Sequence, residues 1–204
     1  ITCTTWCCDC LINRPNTVAT FPEPMIPIFI NINFGAMNVQ KKIAFGLIRA
    51  KLNSLALLNR SKAGEEAFRV FCTPLTVSKK KSELFSRGEK LKVQFNGLNI
   101  CGTRFNHPQP KKVLILHGFS SSSHNFDKYV PLFTAKNFEV IAFDAPAHGE
   151  SEGDTVNALE YAQLIEKLNA EIGPFNGYVA HSFGGLALSL ALENINHDAE
   201  TKVA

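Results

Sequence analysis

Tyr178-Val179-Ala180-His181-Ser182-Phe183-Gly184-Gly185 is the stretch whose reading decides the fold. A short apolar strand runs into a serine, and small residues after it open a helix. A hydroxyl on so sharp a strand-to-helix turn stands clear of the sheet, as a nucleophile must. The serine backbone there is strained and tolerated only where flanking side chains are small. Gly184 and Gly185 supply that on one side. On the other, Ala180 stands where the pattern Gly-x-Ser-x-Gly has its first glycine, so one extra methyl has to fit.

Two stretches upstream extend the pattern. Lys112-Val113-Leu114-Ile115-Leu116 is a continuous apolar strand ending in His117-Gly118-Phe119 and four serines. Glu139-Val140-Ile141-Ala142-Phe143 is another, followed by Asp144-Ala145-Pro146-Ala147-His148-Gly149-Glu150-Ser151. Three buried-type strands separated by helical stretches form a βαβαβ series and predict a parallel sheet. Ahead of them, Leu91 to Phe95 and Leu98 to Ile100 alternate apolar and polar residues on either side of Asn96-Gly97, which predicts an antiparallel hairpin.

These residues together resemble the α/β-hydrolase superfamily. His117-Gly118 is similar to its oxyanion-loop motif, and Asp144 to Ser151 is similar to its Asp-x-x-Gly-His-Gly-x-Ser loop, with Ala147 in place of a glycine. Phe-Asp-Ala-Pro-Ala-His-Gly-x-Ser together with Ala-His-Ser-Phe-Gly resembles one bacterial branch, in which the two alanines are a shared trait. The resemblance runs from about Leu91 to Ala204. It implies an α/β fold, a partial α/β-hydrolase with a mostly parallel sheet, flanking helices and an N-terminal antiparallel hairpin, whose C-terminal half is missing.

The resemblance also assigns roles. Ser182 is the expected nucleophile. The backbone N–H groups of Phe119 and Phe183 are the expected oxyanion hole, and Phe183 gains from opening a helix, whose N-terminus favours an anion. His117, Gly118, Ala180, Gly184, Asp144 and His148 support them: His117 and His148 orient the oxyanion loop and the Asp144 loop, and Asp144 anchors its loop. His181 adjoins the serine and points away from the hydroxyl; His124 and His197 are expected at the surface. The family order is Ser, then Asp or Glu, then His. Only a helix and the start of a sixth strand follow Ser182, so the acid and base are expected beyond residue 204. The chain is then a fragment, inactive by itself, and apolar positions among Val113, Ile115, Val140, Ile141 and Val179 are expected to meet water.

Of the 204 residues, 45% are hydrophobic and 19% charged, enough for one sizeable core. A net charge of +3 is too small to imply nucleic acid. No apolar run is long enough to span a bilayer; the nearest, 25–32, is interrupted by Pro27 and Asn31. The chain divides into 1–36, an unstructured or non-native leader; 37–75, amphipathic helices; 76–90, a charged linker; and 91–204, the N-terminal part of the hydrolase domain. Cys3, Cys7, Cys8 and Cys10 crowd the leader, but no second ligand pair has zinc-like spacing, so no metal and no cofactor is expected. Met25 or Met37 is the expected start. The stripe Val39, Ile43, Leu47, Ile48, Leu52 and Leu55 predicts one helix, and 61–71, capped by Ser61 and stopped before Pro74, a second. Such a pair could bind a membrane surface, but docking on its own domain is the plainer reading.

Ser123 is the expected cap of a helix that Pro131 kinks or delays, and Asp154 opens the helix of Ala158, Tyr161, Ala162, Ile165 and Leu168. The expected function is a cytoplasmic serine hydrolase acting on an ester or related acyl bond of a small-molecule substrate through an acyl-enzyme on Ser182. Hydrolases of this fold that open epoxides or haloalkanes use Asp as nucleophile, and Ser182 argues against them. Thioesterase, perhydrolase and acyltransferase chemistry stay open, as does a degenerate domain that binds a partner.

Overall fold

A computed structural model of the chain describes residues 39–74, 76, 78, 80–197 and 201–204. The proposed leader 1–36, its four cysteines, and Met25 and Met37 lie outside the described residues. The chain divides into two units, 1–48 and 49–204. Helix α1, Val39–Leu58, begins in the first and ends in the second.

The second unit is built on one six-stranded sheet. Its strands are β1 (Glu89–Phe95), β2 (Leu98–Phe105), β3 (Lys111–Leu116), β4 (Phe138–Phe143), β5 (Gly177–Ala180) and β6 (Lys202–Val203), in spatial order β1-β2-β4-β3-β5-β6. β1 and β2 form the expected hairpin, paired from Phe95↔Leu98 outward. Asn96 and Gly97 both take positive φ, 49° and 79°, the conformation a two-residue turn of this hand requires. β2 joins β4 antiparallel, whereas β3–β4, β3–β5 and β5–β6 are parallel.

Side chains on β3 alternate between two cores, the period-two consequence of the pleat. Leu114 and Leu116 pack with Ile141, Phe143 and the helices α5 (Ala158–Glu171) and α6 (Phe183–Ala191). Val113 and Ile115 face the other way, with Val140, Phe85 and Phe126. Val113, Ile115, Val140 and Ile141 are all buried and Val179 is half-buried. The expectation that they meet water is therefore corrected. The second face is covered by α3 (Glu83–Arg87), a single 3-10 turn (Ser123–Phe126) and α4 (Val130–Thr134). α3 arises within the charged stretch 76–90, where Phe85 is an apolar plug stacked on His124.

Local chemistry explains the helix starts. Pro131 lies in the first turn of α4, where its missing N–H is not needed, so it marks a late start and not a kink. α2 (Arg60–Cys72) starts one residue before the expected region and is capped by Asn59, two residues before Ser61: its side chain accepts from Lys62 N–H at 3.0 Å. α5 is capped by Asn157, not Asp154, in a reciprocal capping box with Glu160. No described helix is long and apolar enough to cross a membrane.

Candidate active site

β5 delivers Ser182 to the first turn of α6 with φ 52° and ψ −114°. That region is sparsely populated for a residue with a Cβ, so the backbone is strained at the one residue expected to react. The Ser182 side chain makes no capping hydrogen bond to α6, and the residue is exposed. Ala180, by contrast, lies in regular strand, pairing with Leu116 and donating its N–H to Ala204 at 2.8 Å. A strand position needs no glycine, which is why the methyl is accommodated.

Gly118 and Gly184 bring the loop after β3 against this turn. A Cβ on Gly118 would lie 2.9 Å from His181 Nδ1 and 3.3 Å from the Ser182 Cβ. A Cβ on Gly184 would lie 2.7 Å from the His117 carbonyl oxygen and 2.8 Å from that of Leu116. The approach at Gly184, against backbone oxygens, is open only to glycine; at Gly118 a side chain would crowd the exposed His181 ring and the Ser182 Cβ. The side chains that follow the two motifs then meet: the rings of Phe119 and Phe183 pack edge to face, 5.3 Å apart. Among the described residues, neither the Phe119 nor the Phe183 backbone N–H donates to a protein acceptor.

His117 and His148 are held in one tautomer each. Ala145 N–H donates to His117 Nε2 at 2.9 Å, so the ring proton sits on Nδ1, which donates to the Gly118 carbonyl at 2.8 Å. Likewise Ser120 N–H donates to His148 Nε2 at 3.0 Å, while Nδ1–H donates to the Pro146 carbonyl at 2.9 Å. Both rings thus clasp the loop after β3 to the loop after β4. Burial holds both below the ordinary histidine pKa, outweighing the nearby Asp144 charge.

Asp144 is buried, and each carboxylate oxygen takes one backbone N–H: Ser123 at 2.7 Å and Glu150 at 2.9 Å. Its carbonyl accepts from the Ser151 hydroxyl at 2.8 Å. The loop closes tightly because Gly149 takes φ 53°, and a Cβ there would overlap the Asp144 carboxylate at 2.0 Å. Ala147 takes φ 62° in the same loop and bears the strain that a glycine would not.

The remaining histidines stand elsewhere, His107 with its Nδ1 2.8 Å from Glu139 Oε2. His181 is exposed beside Gly118. His124 is half-buried, with Nδ1 accepting from Ser82 N–H at 3.2 Å, and so is not the surface residue expected. His197 is exposed and contacts the Ile195 carbonyl. Beside Phe119 and Phe183 opens a cavity of about 720 Å³ that Phe68 and Phe71 of α2 also line. In the sequence both lie simply within the second expected helix, 61–71. Their spacing of three puts them on one helix face, but what brings that face to the site is the Val156 N–H bond to the Cys72 carbonyl, which has no signal in the sequence.

Residues 113–203 match the model of the alpha/beta hydrolase family. A juvenile hormone epoxide hydrolase of Manduca sexta is 34% identical over 110 residues, which make up 47% of this chain and 24% of that protein. An uncharacterized hydrolase, YugF, of Bacillus subtilis is 31% identical over 106 residues, 48% of this chain and 37% of its own length. The chain thus spans well under half the length of these relatives. The Pyrococcus furiosus esterase Pf2001 superposes with a TM-score of 0.48 at 23% identity, covering 60% of this chain and 53% of that one.

Proposed function

We propose, for a chain whose residues 113–203 belong to the α/β-hydrolase superfamily, that the protein is a serine hydrolase cleaving an ester or related acyl bond. Ser182 Oγ attacks the acyl carbon, the bond to the leaving oxygen breaks, and the proton of the hydroxyl passes to the leaving alcohol. Water then releases the acid from the acyl-serine. The negative charge on the carbonyl oxygen in each addition step is met by the N–H groups of Phe119 and Phe183.

One observation carries the reading. A strained, exposed serine with an uncommitted side chain abuts the tightly approaching Gly118 turn, and among the described residues the next N–H on each side has no protein acceptor. Strain at a reactive residue persists only where the surroundings impose it. Neither His117 nor His148 is the general base in this reading, because a backbone N–H occupies the Nε2 lone pair of each. Epoxide opening, which the name of the Manduca sexta relative brings to mind, is the weaker reading: the elbow carries a hydroxyl and not a carboxylate.

The test is covalent labelling of the full-length protein with a fluorophosphonate probe. Labelling should map to Ser182 and vanish in Ser182→Ala. A label that persists in that variant rules out Ser182 as the nucleophile.

A further inference from the structure

From the cavity beside the elbow we infer that helix α2 is a wall of the acyl-chain site, with Phe68 and Phe71 setting which hydrocarbon chains the protein accepts; this rests on the reading of Ser182 as the acyl acceptor. The cavity, about 720 Å³, is lined by Phe68 and Phe71 of α2, Leu159 of α5, Leu186 of α6, and Phe119 and Phe183, the residues that follow Gly118 and Ser182. Phe71 is 78% exposed, Leu159 66%, Phe68 58% and Leu186 55%. Four large apolar side chains facing one concave space leave surface that an apolar ligand would cover.

The lining also narrows the ligand class. Among the described residues Asn157 is its one polar side chain, and the Asn157 amide oxygen is already committed to capping α5 through Glu160 N–H. Among the described residues no charged side chain lines the space, so its walls favour a hydrocarbon chain, and a polar head can be met only at the end where the Phe119 and Phe183 N–H groups lie. A saturated or cis-unsaturated chain fits, with its carbonyl held between the Phe119 and Phe183 N–H groups and its tail running toward α2.

α2 is fixed for this task at its C-terminal end. Val156 N–H donates to the Cys72 carbonyl at 3.0 Å, and Cys72 itself is buried. Val156 leads directly into the Asn157 cap, so one main-chain bond ties the end of α2 to the start of α5 beside the cavity. Phe71 and Phe68 stand within the last turn and a half before this anchor.

The experiment compares 4-nitrophenyl esters from acetate to dodecanoate on the full-length protein, wild type against Phe71→Ala and Phe71→Asp. Each methylene buried against α2 should raise wild-type kcat/KM by up to about fourfold, the equivalent of about 0.8 kcal/mol. The octanoate-to-acetate ratio should fall at least tenfold in Phe71→Asp and less in Phe71→Ala. Binding of cis-parinaric acid by fluorescence supplies a readout that needs no nucleophile: Ser182→Ala should bind as wild type does, and Phe71→Asp should bind at least tenfold more weakly. Phe71-dependent binding in a protein that hydrolyses none of the esters supports the chain site and overturns only the role of Ser182. An unchanged chain-length ratio in an active protein, or parinaric acid binding indifferent to both substitutions, overturns the inference. So does Phe71-dependent binding to phosphatidylcholine vesicles without binding of the monomeric acid.

Discussion

The backbone N–H of Ala145 donates to Nε2 of His117 at 2.9 Å, which makes the neutral ring a structural part of the loop pair and not a spare base. Protonating that nitrogen would set two donors against each other in a buried site. Burial lowers the His117 pKa in the folded protein to about 4, against an ordinary value near 6.5. A base whose folded pKa is depressed stabilises the fold fully above its unfolded value and loses that contribution as pH falls toward the folded one. Stability should therefore decline from about pH 6.5 toward pH 4, by on the order of a few kcal/mol, with His148 contributing in the same direction. Thermal melts across this range should show the decline in the wild type and a shallower one in His117→Gln.

Gly184 and Gly185 are adjacent in α6 and should respond oppositely to alanine. At Gly184 the new Cβ meets two backbone oxygens, of Leu116 and His117, at under 3 Å, and neither can move without breaking β3. At Gly185 nothing lies within 4 Å. Gly184→Ala should destabilise by about 2 kcal/mol or more and suppress fluorophosphonate labelling. Gly185→Ala should be neutral or stabilise by up to about 1 kcal/mol through helix propensity. Urea denaturation of the pair reads both signs.

Much of this architecture was legible in the chain because its signals are local. Apolar runs of five, an Asn-Gly turn and a serine between small residues each specify their own backbone, and β3, β4, β5 and the hairpin stand where those signals lie. Most of what escaped depends on partners distant in sequence. Asn59 and Asn157, not Ser61 and Asp154, cap their helices, each side chain accepting the N–H three residues on. Phe85, isolated among charges, showed no periodicity, yet it seals the sheet face that was expected to be open. The tautomers of His117 and His148 follow from backbone donors 28 residues away in the facing loop, which no spacing reveals.

Asp144 works as a clamp, and removing its charge should loosen both loops at once. Each carboxylate oxygen accepts a main-chain N–H, from Ser123 and from Glu150, and the group is buried. Asp144→Asn keeps the shape but turns an NH2 toward one of those donors. A hydrogen bond to a charged acceptor is worth about 1.5–3 kcal/mol, and a loss in that range is expected by urea denaturation. Because the clamp also orders the loop that bears Phe119, the labelling rate of Ser182 should drop while the label still maps to the same residue.

The strain at Ser182 gives a trade between stability and reactivity that can be measured directly. Its φ of 52° with ψ of −114° is a conformation that glycine adopts freely and serine does not. Such strain is worth about 1–3 kcal/mol, while glycine's extra freedom in the unfolded chain returns roughly 0.5–1 kcal/mol of it. Ser182→Gly should therefore melt higher than the wild type, and it should not react with the fluorophosphonate. Ser182→Ala keeps a Cβ in the same strained place, so it should lose the label without gaining that stability. Ala147→Gly, at φ 62°, should also melt higher while leaving Ser182 reactive. Equal melting temperatures for the glycine and alanine variants at 182 would mean that the elbow is relaxed in solution, and that its geometry is not imposed by the packing of Gly118 and Gly184 against it.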